Sequence, residues 1–439
     1  MSPDESLSLL EAGPPEDPGL FDDLSWRGLV HQCTEPTLPT LLSEQRFTLY
    51  IGFDPTAESL HVGSLQQLCL LRRAQEAGHR PIALVGGGTG MIGDPSGKSE
   101  ERELLDPATL ERNRVGVASL LERFMSEGGG SYIVADNAQW LSTVPLIEFL
   151  RDVGKLFSVN EMIRKDSVRS RLEGRDQGLS FTEFTYQLLQ AWDFVQLHER
   201  FGCRLQLGGS DQWGNITEGV ELVRRLRGAP AYGLTSPLVV KADGTKFGKT
   251  ESGTVWMSPE RTSPYEFFQF WIRVTDRDVG DYLRRFTFLS HKDIEALEAN
   301  HAEHPERRDA QRTLAREVTT MVHGAAEAAS AERAAEVLFT EAVASLDEPT
   351  LRSALADAPT WVISDAQLEG GADLEEVLIR TGLATSRTNA RTHLVNGAVR
   401  VNGRVESENR PLRPSDALHG RFVLLRRGKK SYAVLDRRP

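Results

Sequence analysis

With 439 residues, 39% hydrophobic and 26% charged, the chain has ordinary globular composition and enough length for two or three independently folding domains. No run approaches the ~18 apolar residues of a membrane span. The apolar patch Leu7–Leu10 lies among acidic residues, so neither membrane insertion nor a secretory leader is expected.

Three scattered cysteines, Cys33, Cys69 and Cys203, form no CxxC pair, which argues against a disulfide framework or zinc site and fits a reducing cytoplasm. The net charge of −12 averages two unlike parts. From Arg380 to the end there are 14 basic and 4 acidic residues, a net of +10, so the rest of the chain carries −22. Such asymmetry is expected where one end meets a polyanion.

In chain order, residues 1–23 hold seven acidic and no basic side chains and read as a disordered acidic tail. Thr48–Phe53 (TLYIGF) reads as a buried strand that ends at Asp54-Pro55-Thr56. Leu60–Ala77 has helical apolar spacing and stops at Gly78. Pro81–Val85 is a second strand leading into a glycine-rich turn, and Ser131–Ala135 is a third. Arg204–Leu207 runs into Gly208-Gly209-Ser210, with a long helix starting just beyond. Short apolar strands alternating with helices predict an α/β domain whose parallel sheet is covered on both faces.

Beyond about residue 262 the pattern turns helical, with Lys292–Ala299 and Arg308–Val322 rich in strong helix formers. Residues 346–372, with prolines and the Gly370-Gly371 pair, read as a linker. A last α+β unit follows: helices over Leu374–Thr381 and Ser386–Val395, and strands over Arg421–Arg426 and Ser431–Leu435. Between them, two Asn-Gly pairs flank an alternating segment from Asn396 to Gly403 and predict a hairpin.

Two tempting nucleotide motifs fail. Gly88-Thr89-Gly90-Met91-Ile92-Gly93 matches GxGxxG after a strand, but Asp94-Pro95-Ser96-Gly97, a turn sequence, stands where the required helix should open. Gly93 to Lys98 falls one residue short of a P-loop.

A different pair suits adenylation, in which a carboxylate attacks the α-phosphate of ATP and pyrophosphate leaves. That reaction needs positioning and cationic or N–H donors rather than a protein nucleophile. Thr56 follows a strand end, His61 starts the next helix, and Gly63 offers an open helix backbone to an adenine ring. Lys246 and Lys249 flank Gly248 in a loop bounded by Gly244 and Gly253, suited to closing over a triphosphate.

In this order, His61-Val62-Gly63-Ser64 and Lys246-Phe247-Gly248-Lys249-Thr250 resemble the HIGH and KMSKS signatures of class I aminoacyl-tRNA synthetases. The segments Tyr50–Thr56, Gly93–Lys98, Ser180–Phe184 and Gly208–Asn215 extend the resemblance to tyrosyl-tRNA synthetases of the bacterial type, from about residue 24 onward. The resemblance implies a Rossmann-like catalytic domain over 24–240, a mobile signature loop over 241–262 and an α-helical anticodon-stem domain over 263–345. After the linker it implies a small RNA-binding domain over 373–439.

It also implies roles. Tyr50 and Asp193 would hold the substrate phenol, and Asp94, Tyr186 and Gln190 its ammonium group. Gly52, Asp54, His61, Gly63, Ser64, Gly209, Asp211, Gln212 and Lys249 would contact ATP or the adenylate. Thr56, His61, Lys98, Arg102, Lys246, Lys249 and Thr250 would stabilise phosphate in catalysis. Arg387 and Arg391 would meet RNA. The implied partners are L-tyrosine, ATP, accompanying Mg²⁺ with no dedicated protein metal site, and tRNA(Tyr), bound by a cytoplasmic homodimer.

The signature departs from the family pattern at Ser64, where a second histidine is usual. Serine still donates a hydrogen bond, but with shorter reach and no charge. Two rivals stand beside this reading. One is another enzyme of the same nucleotide fold, for tryptophan or a small molecule; the other is an RNA-binding relative without catalysis.

Overall fold

The structure, a computed structural model, describes residues 19–96, 105–165, 168–169, 172, 178–242, 244, 247–250, 253–338, 340–356, 358–428 and 431–438. It divides into two compact units, Met1–Gly248 with Arg284–Phe286, and Lys249–Leu283 with Thr287–Pro439.

The first unit is built on six strands: β1 (Gln32–Cys33), β2 (Thr48–Phe53), β3 (Arg80–Val85), β4 (Ile133–Asp136), β5 (Cys203–Gly209) and β6 (Tyr232–Ser236). Their order is β1-β6-β5-β2-β3-β4, parallel throughout except for the antiparallel edge strand β1. The chain winds from β2 outward through β3 and β4, then returns to β5 on the other side of β2. That reversal opens a crevice at the carboxyl ends of β2 and β5, where open α/β sheets bind ligands.

Local chemistry fixes the helices around the sheet. Asp106 accepts from the amides of Ala108 and Thr109, and Pro107 opens the helix Pro107–Ser126. Ser180 caps Phe181–Phe201 by accepting from Glu183 N, and Gly202 ends it in the left-handed region at φ 67°. On that helix, Ala191, Phe194, Val195 and Leu197 pack with Tyr50, Ile82 and Leu84 of the sheet. The GxGxxG segment forms only a 3₁₀ turn, Thr89–Met91, so no helix opens there.

The acidic tail ends earlier than expected. Leu20–Trp26 is a helix with Leu20 and Leu24 buried. Asp22 and Asp23 occupy its first turn, where the helix dipole favours carboxylates, and Asp23 pairs with Arg27 at 2.8 Å and Arg73 at 3.3 Å. Residues 1–18 lie outside the described residues.

The second unit opens with a short antiparallel pair, β7 (Lys249–Thr250) and β8 (Gly253–Thr254). Helices follow at Pro264–Ile272, His291–Glu303, Asp309–His323 and Ala325–Val337, burying Phe267, Phe268, Trp271, Leu314 and Val318. The remaining strands are β9 (Thr360–Ser364), β10 (Ala372–Asp373), β11 (Val399–Val401), β12 (Arg404–Glu406), β13 (Pro411–Leu412), β14 (Phe422–Arg427) and β15 (Ser431–Arg438). Five of them form a sheet ordered β12-β11-β14-β15-β9.

The expected linker at 346–372 is therefore corrected. It contains the helix Glu348–Ala354 and strand β9, which pairs in parallel with β15 and buries Ile363. The last module begins well before residue 373.

Of the two Asn-Gly pairs, only the second turns a hairpin. Asn402 and Gly403 adopt φ 47° and 81° between β11 and β12, the mirror-image turn that matches strand twist. Asn396-Gly397 instead ends the helix Arg387–Val395. A Cβ at Gly403 would run into the carbonyl of Thr340, so the hairpin tip lies directly on the chain leaving the helices. His419 Nε2 meets Leu346 O at 2.7 Å along the same seam.

Candidate active site

One cavity of about 340 Å³ opens at the β2/β5 crevice. Its lining includes Tyr50, Gly52, Asp54, Thr56, His61, Gly63, Ser64, Asp94, Tyr186, Gln190, Asp193, Gly209, Asp211 and Gln212. Residues as far apart in sequence as Tyr50 and Gln212 thus meet in one place. Tyr186, Gln190 and Asp193 share the face of Phe181–Phe201 turned to the cavity, since i, i+4 and i+7 fall on one side of a helix.

The inner end is buried and polar. Tyr50 stands edge-on to Phe194 at 5.3 Å, and its hydroxyl is buried with no hydrogen-bond partner among the described residues. An unsatisfied buried hydroxyl costs about 1–3 kcal/mol, which a phenolic ligand could recover. Burial, then the nearby Asp193 carboxylate, pushes the Tyr50 phenol well above its ordinary pKa, so it stays protonated. Asp193 accepts from Asn137 Nδ2 at 2.8 Å and Trp140 Nε1 at 2.7 Å. Burial raises its pKa to about 7 despite those two donors.

Asn137 extends the network. Its amide also donates to Thr89 Oγ1 at 2.9 Å, its oxygen accepts from Gly88 N at 2.7 Å, and Thr89 Oγ1 donates to Asp54 at 2.8 Å. Asp54 accepts in turn from the Tyr186 hydroxyl at 3.0 Å. A second ring joins Asp94, which accepts from Gln212 Nε2 at 2.8 Å, to Gln190 and Asn215 through the Gln212 oxygen.

At the mouth, His61 Nδ1 accepts from Gly63 N at 2.9 Å, so the neutral ring carries its proton on Nε2 as a donor. A Cβ on Gly63 would lie 2.5 Å from His61 Cε1, so glycine here also makes room for that ring. The backbone of Gly248 reaches the same segment: a Cβ there would stand 3.0 Å from Val62 Cγ2 and 3.5 Å from Gly63 N. Beside it, Phe247 stacks on Phe286 at 5.4 Å. Phe247 and Gly248 of the second signature thus lie beside the first signature segment within the first unit.

A family model for tRNA synthetases class I (W and Y) matches residues 42–340, and one for the tyrosine–tRNA ligase SYY-like C-terminal domain matches residues 351–435. The tyrosine–tRNA ligase of Roseiflexus castenholzii is 51% identical over 421 residues, 95% of this chain and 99% of its own length. That of Geobacillus stearothermophilus is 52% identical over 422 residues, again 95% and 99%. This chain belongs to the tyrosyl-tRNA synthetase family.

Among solved structures, a C-terminally truncated Aspergillus nidulans mitochondrial tyrosyl-tRNA synthetase superposes with a TM-score of 0.66 at 32% identity, covering 74% of this chain and 95% of that one. Members of the tyrosyl-tRNA synthetase family are enzymes that use ATP as a substrate.

Several expected site residues cannot be placed beside the cavity. Lys98, Arg102 and Lys246 lie outside the described residues, as do the side chains of Lys249 and Thr250, whose backbone forms β7 in the second unit. Arg387 and Arg391 lie in the second unit, one turn apart on the helix Arg387–Val395. Arg391 is 66% exposed and its Nε donates to the buried Glu375 at 2.8 Å, which fixes the guanidinium at the surface.

Sequence reasoning missed Asn137, Trp140 and Thr89. The available signal was weak: Asn137 and Trp140 immediately follow β4 at the carboxyl edge of the sheet.

Proposed function

We propose that this chain activates L-tyrosine with ATP and transfers the tyrosyl group to the 3′ end of tRNA(Tyr). A tyrosine carboxylate oxygen bonds to the α-phosphorus, and the bond to the leaving pyrophosphate breaks with its electrons. The terminal ribose hydroxyl of tRNA then attacks the adenylate carbonyl and AMP leaves.

The observation that carries the substrate assignment is the buried pair of Tyr50, whose hydroxyl lacks a partner among the described residues, and Asp193. A phenol donates to the carboxylate and accepts from the tyrosine hydroxyl, whereas phenylalanine would leave both unpaired. Such sites reject the analogue that lacks the hydroxyl, because their buried polar groups would then be left unpaired.

Asp94, Tyr186 and Gln190 hold the substrate ammonium in this reading. Gly52, Asp54, Gly209, Asp211 and Gln212 face the adenylate. Thr56, His61, Lys98, Arg102, Lys246, Lys249 and Thr250 stabilise phosphoryl charge, with Mg²⁺ arriving on the triphosphate. Arg387 occupies the first turn of its helix, where a cation opposes the dipole, which favours a role outside the fold such as meeting RNA phosphate.

The test is ATP–pyrophosphate exchange with a panel of amino acids. Tyrosine is expected to drive it, with phenylalanine and tryptophan inactive by comparison. Exchange with tryptophan but not tyrosine would overturn the substrate assignment, and no exchange with any amino acid would favour a non-catalytic RNA binder.

We also propose a homodimer working in the cytoplasm, where its tRNA substrate is. Among the described residues no helix is long and apolar enough to cross a membrane. The successive helices Leu146–Asp152 and Val159–Arg164 expose Leu146, Ile147, Leu150, Val159 and Ile163, with Ile147 73% exposed. Apolar clusters of this kind mark association surfaces. Ile147→Asp is expected to give a monomer in sedimentation; a wild-type chain that sediments as a monomer at micromolar concentration would refute the dimer.

A further inference from the structure

The buried face of the helix Pro107–Ser126 includes Leu110, Asn113, Val117 and Leu121, spaced i, i+3, i+7 and i+11. Asn113 is the polar member of this row, 3% exposed, and has no part in the reaction scheme above. A carboxamide buried at such a position needs a hydrogen-bond partner. Its Nδ2 donates to the carbonyl of Pro55 at 3.1 Å. That carbonyl can only accept, so chemistry alone turns the carboxamide nitrogen toward it.

The bond falls on the peptide unit that enters Thr56. The other end of that unit is also held, because Thr56 N donates to Asp54 O at 2.9 Å, the i→i+2 bond of a γ-turn with proline at its centre. A planar peptide held at both its oxygen and its nitrogen has no freedom to rotate, and it delivers Thr56 to the cavity wall. Asp54, where the turn starts, is itself anchored by Thr89 and Tyr186. Packing removes the remaining slack. A Cβ on Gly90 would lie 2.9 Å from Pro55 Cδ, and one on Gly116 would run into the Glu58 carbonyl. Glycine inside a helix costs about 1 kcal/mol relative to alanine, and Gly116 uses that to bring the helix backbone against the loop.

We propose that Asn113 is a positioning residue for adenylation, locking the Pro55–Thr56 peptide so that the Thr56 side chain stands where phosphoryl charge develops. This rests on the reading that Thr56 stabilises that charge. Asn113 is not among the described residues that line the cavity, so it acts through Thr56 and not on the substrate. A hydroxyl held by the fold needs no reorganisation as charge appears. Loosening it should therefore slow the chemical step more than it weakens substrate binding.

The experiment is tyrosine-dependent pyrophosphate exchange by the wild-type chain, Asn113→Leu, Thr56→Ala and the double variant, with tyrosine binding followed by equilibrium dialysis. Asn113→Leu keeps the shape of the side chain and removes the donor. It is expected to lower kcat about five- to thirtyfold, with the KM for tyrosine and for ATP within about twofold. In the Thr56→Ala background the same substitution should cost less than about twofold, because no hydroxyl is left to misplace. A purely structural role would give the full loss in both backgrounds, since independent losses multiply. Asn113→Ala, which cannot overfill the site, should reproduce both results and carries the test if the leucine variant fails to bind tyrosine.

An Asn113 variant that binds tyrosine normally and keeps the wild-type kcat, or whose loss is undiminished by Thr56→Ala, would overturn the proposal. Lost tyrosine binding in both Asn113 variants would mark a contact needed by the fold and overturn it as well. An unchanged kcat in Thr56→Ala would remove the role of Thr56, and the proposal with it, while leaving the tyrosine assignment intact. Absence of exchange with any amino acid in the wild-type chain would overturn the synthetase reading itself.

Discussion

Asp193→Asn is expected to lower kcat/KM for tyrosine by on the order of a hundredfold or more, from the loss of a charge-assisted hydrogen bond and the stranding of a buried donor. Asp193 already receives Asn137 and Trp140 on its two oxygens, and the proposed phenol adds a third donor. An asparagine offers one acceptor oxygen and turns an N–H₂ toward one of those donors, so a donor then faces a donor. The KM for ATP should change little, because the carboxylate lies at the inner, tyrosine end.

The pKa of about 7 gives this prediction a second readout. As pH falls from 8.5 to 6, Asp193 gains a proton and the phenol loses its carboxylate acceptor, so the tyrosine KM should rise. In Asp193→Asn the rise should disappear. The linkage to folding has the opposite sense. A carboxyl raised above its unfolded value stabilises the fold most below pH ~4, and that contribution is lost as pH rises toward 7. The charged form at neutral pH is thus a folding cost held for binding. A tyrosine KM that stays flat from pH 6 to 8.5 in the wild-type chain would rule out Asp193 as the titrating acceptor.

The parts of this site that were legible in the sequence are those carried by contiguous segments. Tyr50, Asp54 and Thr56 lie on one strand and its exit, and His61–Ser64 on one turn, so local order and resemblance together picked them out. The Asn137–Thr89–Asp54 chain was not legible, because it exists only where the ends of β2, β3 and β4 meet. The sheet's last strand shows the same limit. Pro359 and Gly370-Gly371 punctuate residues 346–372 as a loop would, yet β9 is held by β15 some 70 residues later. Pairing at that separation leaves no local periodicity to read. In the same way, Asp22 and Asp23 look like tail acidity until Arg27 and Arg73 are brought beside Asp23.

That correction decides how the basic module should be removed. Ending the chain after Ser345 takes away β9 together with β15 and keeps the helices Pro264–Ile272 to Ala325–Val337, giving up the contacts of Gly403 and His419. Tyrosine-dependent pyrophosphate exchange is expected to stay within about twofold, since the described cavity lies wholly in the first unit. Aminoacylation of tRNA is expected to fall on the order of a hundredfold at physiological salt, the scale that losing several phosphate contacts produces. Charging by the full chain should also weaken steeply with added salt while exchange does not. Ending the chain at Gly371 instead would leave β9 without its partner strand and bare the buried Ile363, so that variant should aggregate for reasons unrelated to RNA. Charging that survives the Ser345 truncation undiminished would show that the +10 segment is a solvated surface rather than an RNA contact.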